Sequence, residues 1–231
     1  MPIPWKIINK LCDLSGEIYN DKIPEIIDDY ILIKEIQNKK GLHGAIYKNL
    51  YKRICVIVFR GSSTLLDWLL NIFFIPTTII QNVAVHYGFY YQLEDSINEI
   101  SDCIKPNTKW YIAGHSRGAG LSTILTFLLS YRFPNIKWTN VTFGSPKVGT
   151  KKFATKFNKK RNIVHYRIVI NNDAISQLPS CLYRHTGKSI KKKKKWHYNI
   201  YEERLACPIL CGNYSDHNYY NYKNNIVVEV S

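Results

Sequence analysis

The chain has 231 residues and a mass of 27.0 kDa, a size that suits one domain, and residues 1–231 read as a single unit. Hydrophobic residues at 45%, charged residues at 21%, 12 Gly and 9 Pro exclude a disordered, collagenous or low-complexity protein. The net charge of +15 is local: residues 147–196 hold fifteen Lys and Arg against Asp173 alone, while the other 17 basic and 16 acidic residues nearly cancel.

In chain order, residues 7–20 and 23–36 both space apolar positions three and four apart, which predicts two helices. Residues 41–48 and 53–59 read as strands joined by a polar turn at Asn49. The second is a near-continuous apolar run, the pattern of a strand covered on both faces. An amphipathic helix is expected over 94–104, stopped by Lys105-Pro106, then a strand at 109–113 and an apolar helix at 119–131 that ends before Pro134. Strands follow at 138–143 and 163–170, and the lysine run 191–195 reads as a solvated loop. Strands alternating with helices predict an α/β fold with a mostly parallel sheet and helices on both faces.

No run approaches the ~20 apolar residues of a membrane span. The longest, 65–80, contains Asp67, Asn71 and Pro76, and Lys6, Lys10, Asp13 and Glu17 interrupt any signal-peptide core. The expectation is therefore a soluble, cytoplasmic protein. Cys12, Cys55, Cys103, Cys181, Cys207 and Cys211 show neither C-x-x-C nor zinc spacing, so free thiols and no metal are expected. Cys207 and Cys211 flank a proline loop and would suit a disulfide in an oxidising compartment. The basic stretch 147–196 would attract phosphates of an anionic lipid surface or of nucleic acid. No nucleic-acid-binding motif accompanies it, so no nucleic-acid partner is expected. A chain this rich in Lys, Ile, Asn and Tyr also fits A+T-rich codon usage, which would make the same charge without a partner.

One motif carries chemistry. Gly114-His115-Ser116-Arg117-Gly118 is a G-x-S-x-G pattern lying between a predicted strand and a predicted helix. Such a turn pushes the serine hydroxyl out at the top of a sheet. A serine hydroxyl needs a base, and the base needs an orienting carboxylate. Downstream carboxylates are Asp173, Glu202, Glu203, Asp216 and Glu229; Asp173 stands out because it follows a strand in the polar turn Asn171-Asn172-Asp173. Among His185, His197 and His217, the last lies in a loop before the terminal apolar stretch. His185 and His197 flank the lysine run and read as surface residues, and Asp216 as part of a local turn.

These residues resemble the class 3, fungal-type lipases of the α/β-hydrolase fold over roughly 40–222. Phe59-Arg60-Gly61-Ser62 with Asp67-Trp68 resembles that family's oxyanion segment. Val85-His86-Tyr87-Gly88-Phe89 resembles the strand-to-helix entry after its lid, and Phe143-Gly144-Ser145-Pro146-Lys147-Val148-Gly149 the segment after the next sheet strand. The resemblance implies a serine carboxylic-ester hydrolase acting on lipid esters, triacylglycerol lipase-like, with no cofactor. A phospholipase A1-like or soluble carboxylesterase activity is the alternative, and a non-catalytic lipid-binding relic a more distant one. It implies Ser116 as nucleophile, His217 as general base and acid, and Asp173 as the group that fixes the imidazole tautomer. The oxyanion hole would be the Ser62 N–H, with its hydroxyl, and the N–H of Arg117. It also implies an amphipathic lid over 65–75 whose Trp68, Phe73 and Phe74 meet a lipid surface; a buried core helix has the same periodicity. Arg117 departs from the apolar residue more usual after the nucleophile, which bears on substrate preference.

Overall fold

The computed structural model describes residues 3–62, 75–170, 173–179, 182–192, 196–199 and 217–227. Its first helix, α1 (Trp5–Glu17), is followed by four strands: β1 (Ile26–Ile27), β2 (Tyr30–Gln37), β3 (His43–Asn49) and β4 (Ile54–Phe59). Next come β5 (Pro76–Ile79), β6 (Val83–His86), α2 (Tyr87–Leu93), α3 (Ile97–Asp102), β7 (Lys109–His115) and α4 (Arg117–Arg132). The remainder is β8 (Trp138–Phe143), β9 (Gly149–Thr150), α5 (Lys151–Lys159), β10 (Ile163–Ile170), β11 (Tyr183–Arg184), β12 (Lys188–Lys192), β13 (Trp196–Asn199) and α6 (Tyr219–Val227).

Among the described residues, nine strands form one sheet in the order β1-β2-β3-β4-β7-β8-β10-β12-β13. From β4 through β7, β8 and β10 to β12 every neighbouring pair is parallel. The flanking pairs, β1 to β4 on one side and β12 with β13 on the other, are antiparallel. A smaller sheet orders β11-β9-β6-β5. The fold is that of an α/β hydrolase, with helices on both faces of the main sheet.

The apolar runs are explained by that double cover. Along β4, Cys55, Ile57 and Phe59 enter the core shared with α2, α3, α4 and α5, while Val56 and Val58 enter the core under α1 and α6. Strand β7 divides likewise, Trp110 and Ile112 to one side, Tyr111 and Ala113 to the other. A period of two with apolar residues at both phases reads as a continuous run. Helix α4 lies between sheet and outer helices and is buried from Gly118 to Ser130. It carries hydroxyls there because each bonds back within the helix: Ser122 and Thr123 to the Ala119 carbonyl, Thr126 to Ser122, Ser130 to Phe127. On the other face α1 and α6 meet through Asp13 with Lys223 and through Gly16 beneath the Tyr219 ring.

Two expectations need correction. Residues 23–36 are not a helix but the hairpin β1–β2, turning at Asp28-Asp29 with Asp28 at φ 49. The segment is rich in isoleucine, whose branched Cβ is at home on a pleated surface, and β3 supplies a pairing partner that local periodicity does not reveal. The lysine run is not wholly a loop either: Lys191 and Lys192 are half-buried residues of β12, paired with His197 and Trp196 of β13. No described helix is long and apolar enough to cross a membrane.

Candidate active site

Strand β7 ends at His115 and helix α4 starts at Arg117, leaving Ser116 alone at the turn with φ 61 and ψ −124. A side-chain-bearing residue seldom adopts that conformation, which costs about 1–3 kcal/mol and survives only where surrounding packing enforces it. The enforcement comes from the flanking glycines. A Cβ on Gly118 would sit 2.1 Å from the Phe59 carbonyl oxygen, and one on Gly114 would sit 2.4 Å from the Gly118 carbonyl carbon. Strand, turn and helix therefore collapse onto β4 in a way that no larger residue at 114 or 118 permits. The Ser116 amide donates to the Phe143 carbonyl at 2.9 Å, tying the turn to the end of β8.

Asp173 follows β10 and is fully buried. Its Oδ1 accepts from the amides of Ile175 at 2.9 Å and Ser176 at 3.3 Å, and its Oδ2 accepts from the Tyr222 hydroxyl at 2.6 Å. The His217 Nδ1 lies 3.0 and 2.9 Å from the two oxygens. Burial pushes this carboxyl up, but the His217 hydrogen bond and charge, with the Tyr222 bond, outweigh it and hold Asp173 below the usual aspartate value. An ionised carboxylate accepts only, so Nδ1 carries the proton and Nε2 presents a lone pair. That Nε2 and the Ser116 Oγ are both buried and make no hydrogen bond. A buried polar atom left unpaired costs about 1–3 kcal/mol, an expense characteristic of reacting groups.

His115 holds the base from behind. Its ring stacks on that of His217 with centroids 4.8 Å apart, and its Nε2 lies 2.9 Å from the His217 carbonyl oxygen. A carbonyl only accepts, so Nε2 bears the proton and Nδ1 accepts from the Tyr19 hydroxyl at 2.9 Å. Burial, then the neighbouring His217, pull the His115 pKa down to about 3 and keep the ring neutral.

Ser62 emerges half-buried beyond the end of β4, next to the turn, because β4 and β7 run parallel with Phe59 opposite Gly114. Arg117, as the first residue of α4, has an amide with no acceptor inside the helix. The Arg117 guanidinium reaches back across the turn: Nη2 donates to the Gly61 carbonyl at 3.1 Å, and Nη1 to the Gly41 carbonyl at 3.2 Å and to Gln92 Oε1 at 3.4 Å. Among the described residues no group of His, Cys, Asp or Glu could hold a metal ion.

Residues 56–183, more than half of the chain, match the family model described as Lipase (class 3). The chain belongs to the class 3 lipase family. It is 28% identical over 138 residues to the lipase of Rhizomucor miehei, covering 55% of this chain and 38% of that protein. It is also 32% identical over 148 residues to the chloroplastic phospholipase A1 PLIP1 of Arabidopsis thaliana, covering 58% of this chain and 22% of that protein. The chain thus spans well under half the length of these curated relatives. The solved structure of the Rhizomucor miehei triacylglyceride lipase superposes with a TM-score of 0.78 at 21% identity, covering 92% of both chains. The lipase of Rhizopus microsporus gives 0.80 at 20%, covering 92% of this chain and 85% of that one. At such identities the likeness shows the fold.

In this member of the class 3 lipase family the structure brings Asp173 and His217 together, puts Ser116 at the strained turn with Arg117 directly after it, and places Ser62 beyond the end of β4. Trp68, Phe73 and Phe74, expected in a lid, lie outside the described residues, as do Cys181, Cys207, Cys211 and Asp216. His185 is not a surface residue: it is half-buried, and its Nε2 donates to the Ser176 carbonyl at 2.6 Å. Burial, then the charges of Arg167 and Lys147, push its pKa well below the usual histidine value. Sequence reasoning missed Tyr19, His115 and Tyr222. His115 lies inside the quoted motif, and its place beside Ser116 was the available signal; nothing local marks the two tyrosines.

Proposed function

We propose that this chain hydrolyses carboxylic esters of lipids through an acyl-enzyme on Ser116, and that the whole chain acts as one catalytic domain. The observation that carries the reading is that Ser116 Oγ and His217 Nε2 are both buried and unpartnered, the latter in a histidine whose Nδ1 Asp173 holds at 2.9 Å. Ser116 Oγ adds to the ester carbonyl while His217 Nε2 takes its proton. The carbonyl oxygen becomes an oxyanion held by the N–H groups of Ser62 and Arg117; such donors are worth about 10²–10³ each in rate. Collapse breaks the bond to the alcohol, which leaves with the proton from His217. Water then repeats the sequence on the acyl-enzyme and releases the acid.

The substrate is read as a triacylglycerol-type or phospholipid ester met at a lipid surface, since the relatives include both a lipase and a phospholipase A1. An anionic surface is favoured by α5 and the turn after it, where Lys151, Lys152, Lys159 and Arg161 are exposed while Phe153 and Phe157 face the core. Labelling with a fluorophosphonate tests the central claim. Wild type should incorporate the probe at one serine, mapped to Ser116, and Ser116→Ala should incorporate none. Labelling that persists in Ser116→Ala, or a wild type that stays unlabelled, would sink the assignment.

A further inference from the structure

The guanidinium of Arg117 is an unusual use of charge. It is half-buried, it spends its described hydrogen bonds on neutral acceptors, the Gly41 and Gly61 carbonyls and Gln92, and its buried Nε makes none. Withdrawing a cation from water onto neutral partners is unfavourable compared with an apolar side chain in the same place. Its effect must be sought at what it touches. The Gly61 carbonyl and the Ser62 N–H belong to one peptide group, and in a planar trans peptide the two bonds point in opposite directions. Whatever grips that carbonyl therefore aims that N–H. A cation on the oxygen also draws electron density along the amide and strengthens the N–H as a donor.

The same residue is held from its other side. The Tyr19 hydroxyl packs directly on Gly61, where a Cβ would lie 1.8 Å from its oxygen. The Tyr19 hydroxyl donates in turn to His115 Nδ1, and His115 Nε2 to the His217 carbonyl. Each neighbour of Ser116 thus secures one arm of the site: His115 the loop bearing the base, Arg117 the peptide opposite.

We propose that Arg117 is a positioning residue for the oxyanion hole: its own N–H forms one donor, and its guanidinium, through the Gly61 carbonyl, aims and polarises the Ser62 N–H that forms the other. The inference rests on the reading of those two amides as the oxyanion donors. Because the Gly61 carbonyl is held before substrate arrives, the contribution appears only as charge develops on the carbonyl oxygen, in kcat rather than KM.

The test compares wild type, Arg117→Leu and Arg117→Lys on p-nitrophenyl butyrate, with inhibition by an alkyl trifluoromethyl ketone, whose serine adduct carries an oxyanion. Loosening one donor should cost less than removing it, so Arg117→Leu should lose about 10–100-fold in kcat. Its KM should move less than about threefold, and ketone affinity should fall by the same factor as kcat/KM. Arg117→Lys, which keeps a cation within reach of the carbonyl, should recover part of both losses; if the Leu variant does not fold, Lys and Gln carry the comparison. Unchanged kcat and ketone affinity in Arg117→Leu would overturn the proposal. So would a loss in which ketone affinity does not follow kcat/KM, or one that Lys does not relieve. A wild type that fails to label with fluorophosphonate overturns both this and the hydrolase reading. One that labels normally beside an unimpaired Leu variant overturns this inference alone.

Discussion

Tyr222→Phe removes a single hydroxyl from the candidate site. The Tyr222 ring packs edge-on against Phe143 and His115, with centroids 6.4 and 5.5 Å apart, and phenylalanine keeps both contacts. What goes is the hydroxyl that donates to Asp173 Oδ2 at 2.6 Å and takes a longer bond of 3.4 Å from the Ile170 amide. A hydrogen bond to a charged group contributes about 1.5–3 kcal/mol. Thermal unfolding should then shift down by about 3–12 °C, at the 2–4 °C per kcal/mol of a chain this size. The loss should depend on pH. Asp173 has a folded-state pKa below its unfolded value, so its contribution is complete above about pH 4 and disappears as pH falls through the folded value; the gap between wild type and variant should narrow there. Activity on a soluble ester should fall no more than about tenfold, or 1.4 kcal/mol. The carboxylate retains Ile175, Ser176 and His217 as donors, enough to hold the imidazole. Differential scanning calorimetry from pH 3 to 8, with p-nitrophenyl ester kinetics, reads both effects. A melting point unchanged at pH 7 would show that the bond contributes nothing. A rate loss of a thousandfold would make Tyr222 part of the proton-handling machinery instead of its support.

Ser116→Gly should abolish hydrolysis and yet stabilise the chain by about 1 kcal/mol, because relief of about 1–3 kcal/mol of backbone strain and of an unpaired hydroxyl exceeds the roughly 0.5–1 kcal/mol entropic cost of glycine; urea unfolding that finds the variant weaker would contradict the strain argument. Acid should weaken the fold well above the carboxylate range. Burial lowers His86 to about 4 and His115 to about 3, and holds His165 and His185 well below the usual value. Their unfolded forms bind protons from about pH 6.5 downward, so each neutral ring costs up to about 1.4 kcal/mol per pH unit below that point, and a urea midpoint that stays flat from pH 7.5 to 4.5 would refute this. Replacing Lys151, Lys152, Lys159 and Arg161 with Gln should reduce co-sedimentation with anionic vesicles, at about 1 kcal/mol per charge that reaches the surface, and leave soluble-ester turnover unchanged; equal binding of both proteins would make the charge incidental.

The strand at β4, the strand–turn–helix at Ser116 and the helix that follows were legible in the chain because their causes are local. An apolar residue at every position suits a strand covered twice, and two glycines two residues from a serine permit a turn that Cβ atoms would block. Residues 23–36 were misread for the complementary reason: isoleucines three and four apart satisfy both a helix and a twisted strand, and the choice was made by β3, which lies beside them only after folding. Asp173 and His217 could be singled out by their order along the chain, yet they are 44 residues apart, and the bond between them exists because β10 and the start of α6 meet at one end of the sheet. The partners that aim these groups are more distant still. Tyr19 and His115 are separated by 96 positions and Arg117 and Gly61 by 56, and no side chain announces in sequence which carbonyl or hydroxyl it will find. Propensity and Cβ sterics act over a few residues, so they are written in the chain itself; hydrogen-bond partnership across elements is decided by strand order and packing, which only the tertiary structure supplies.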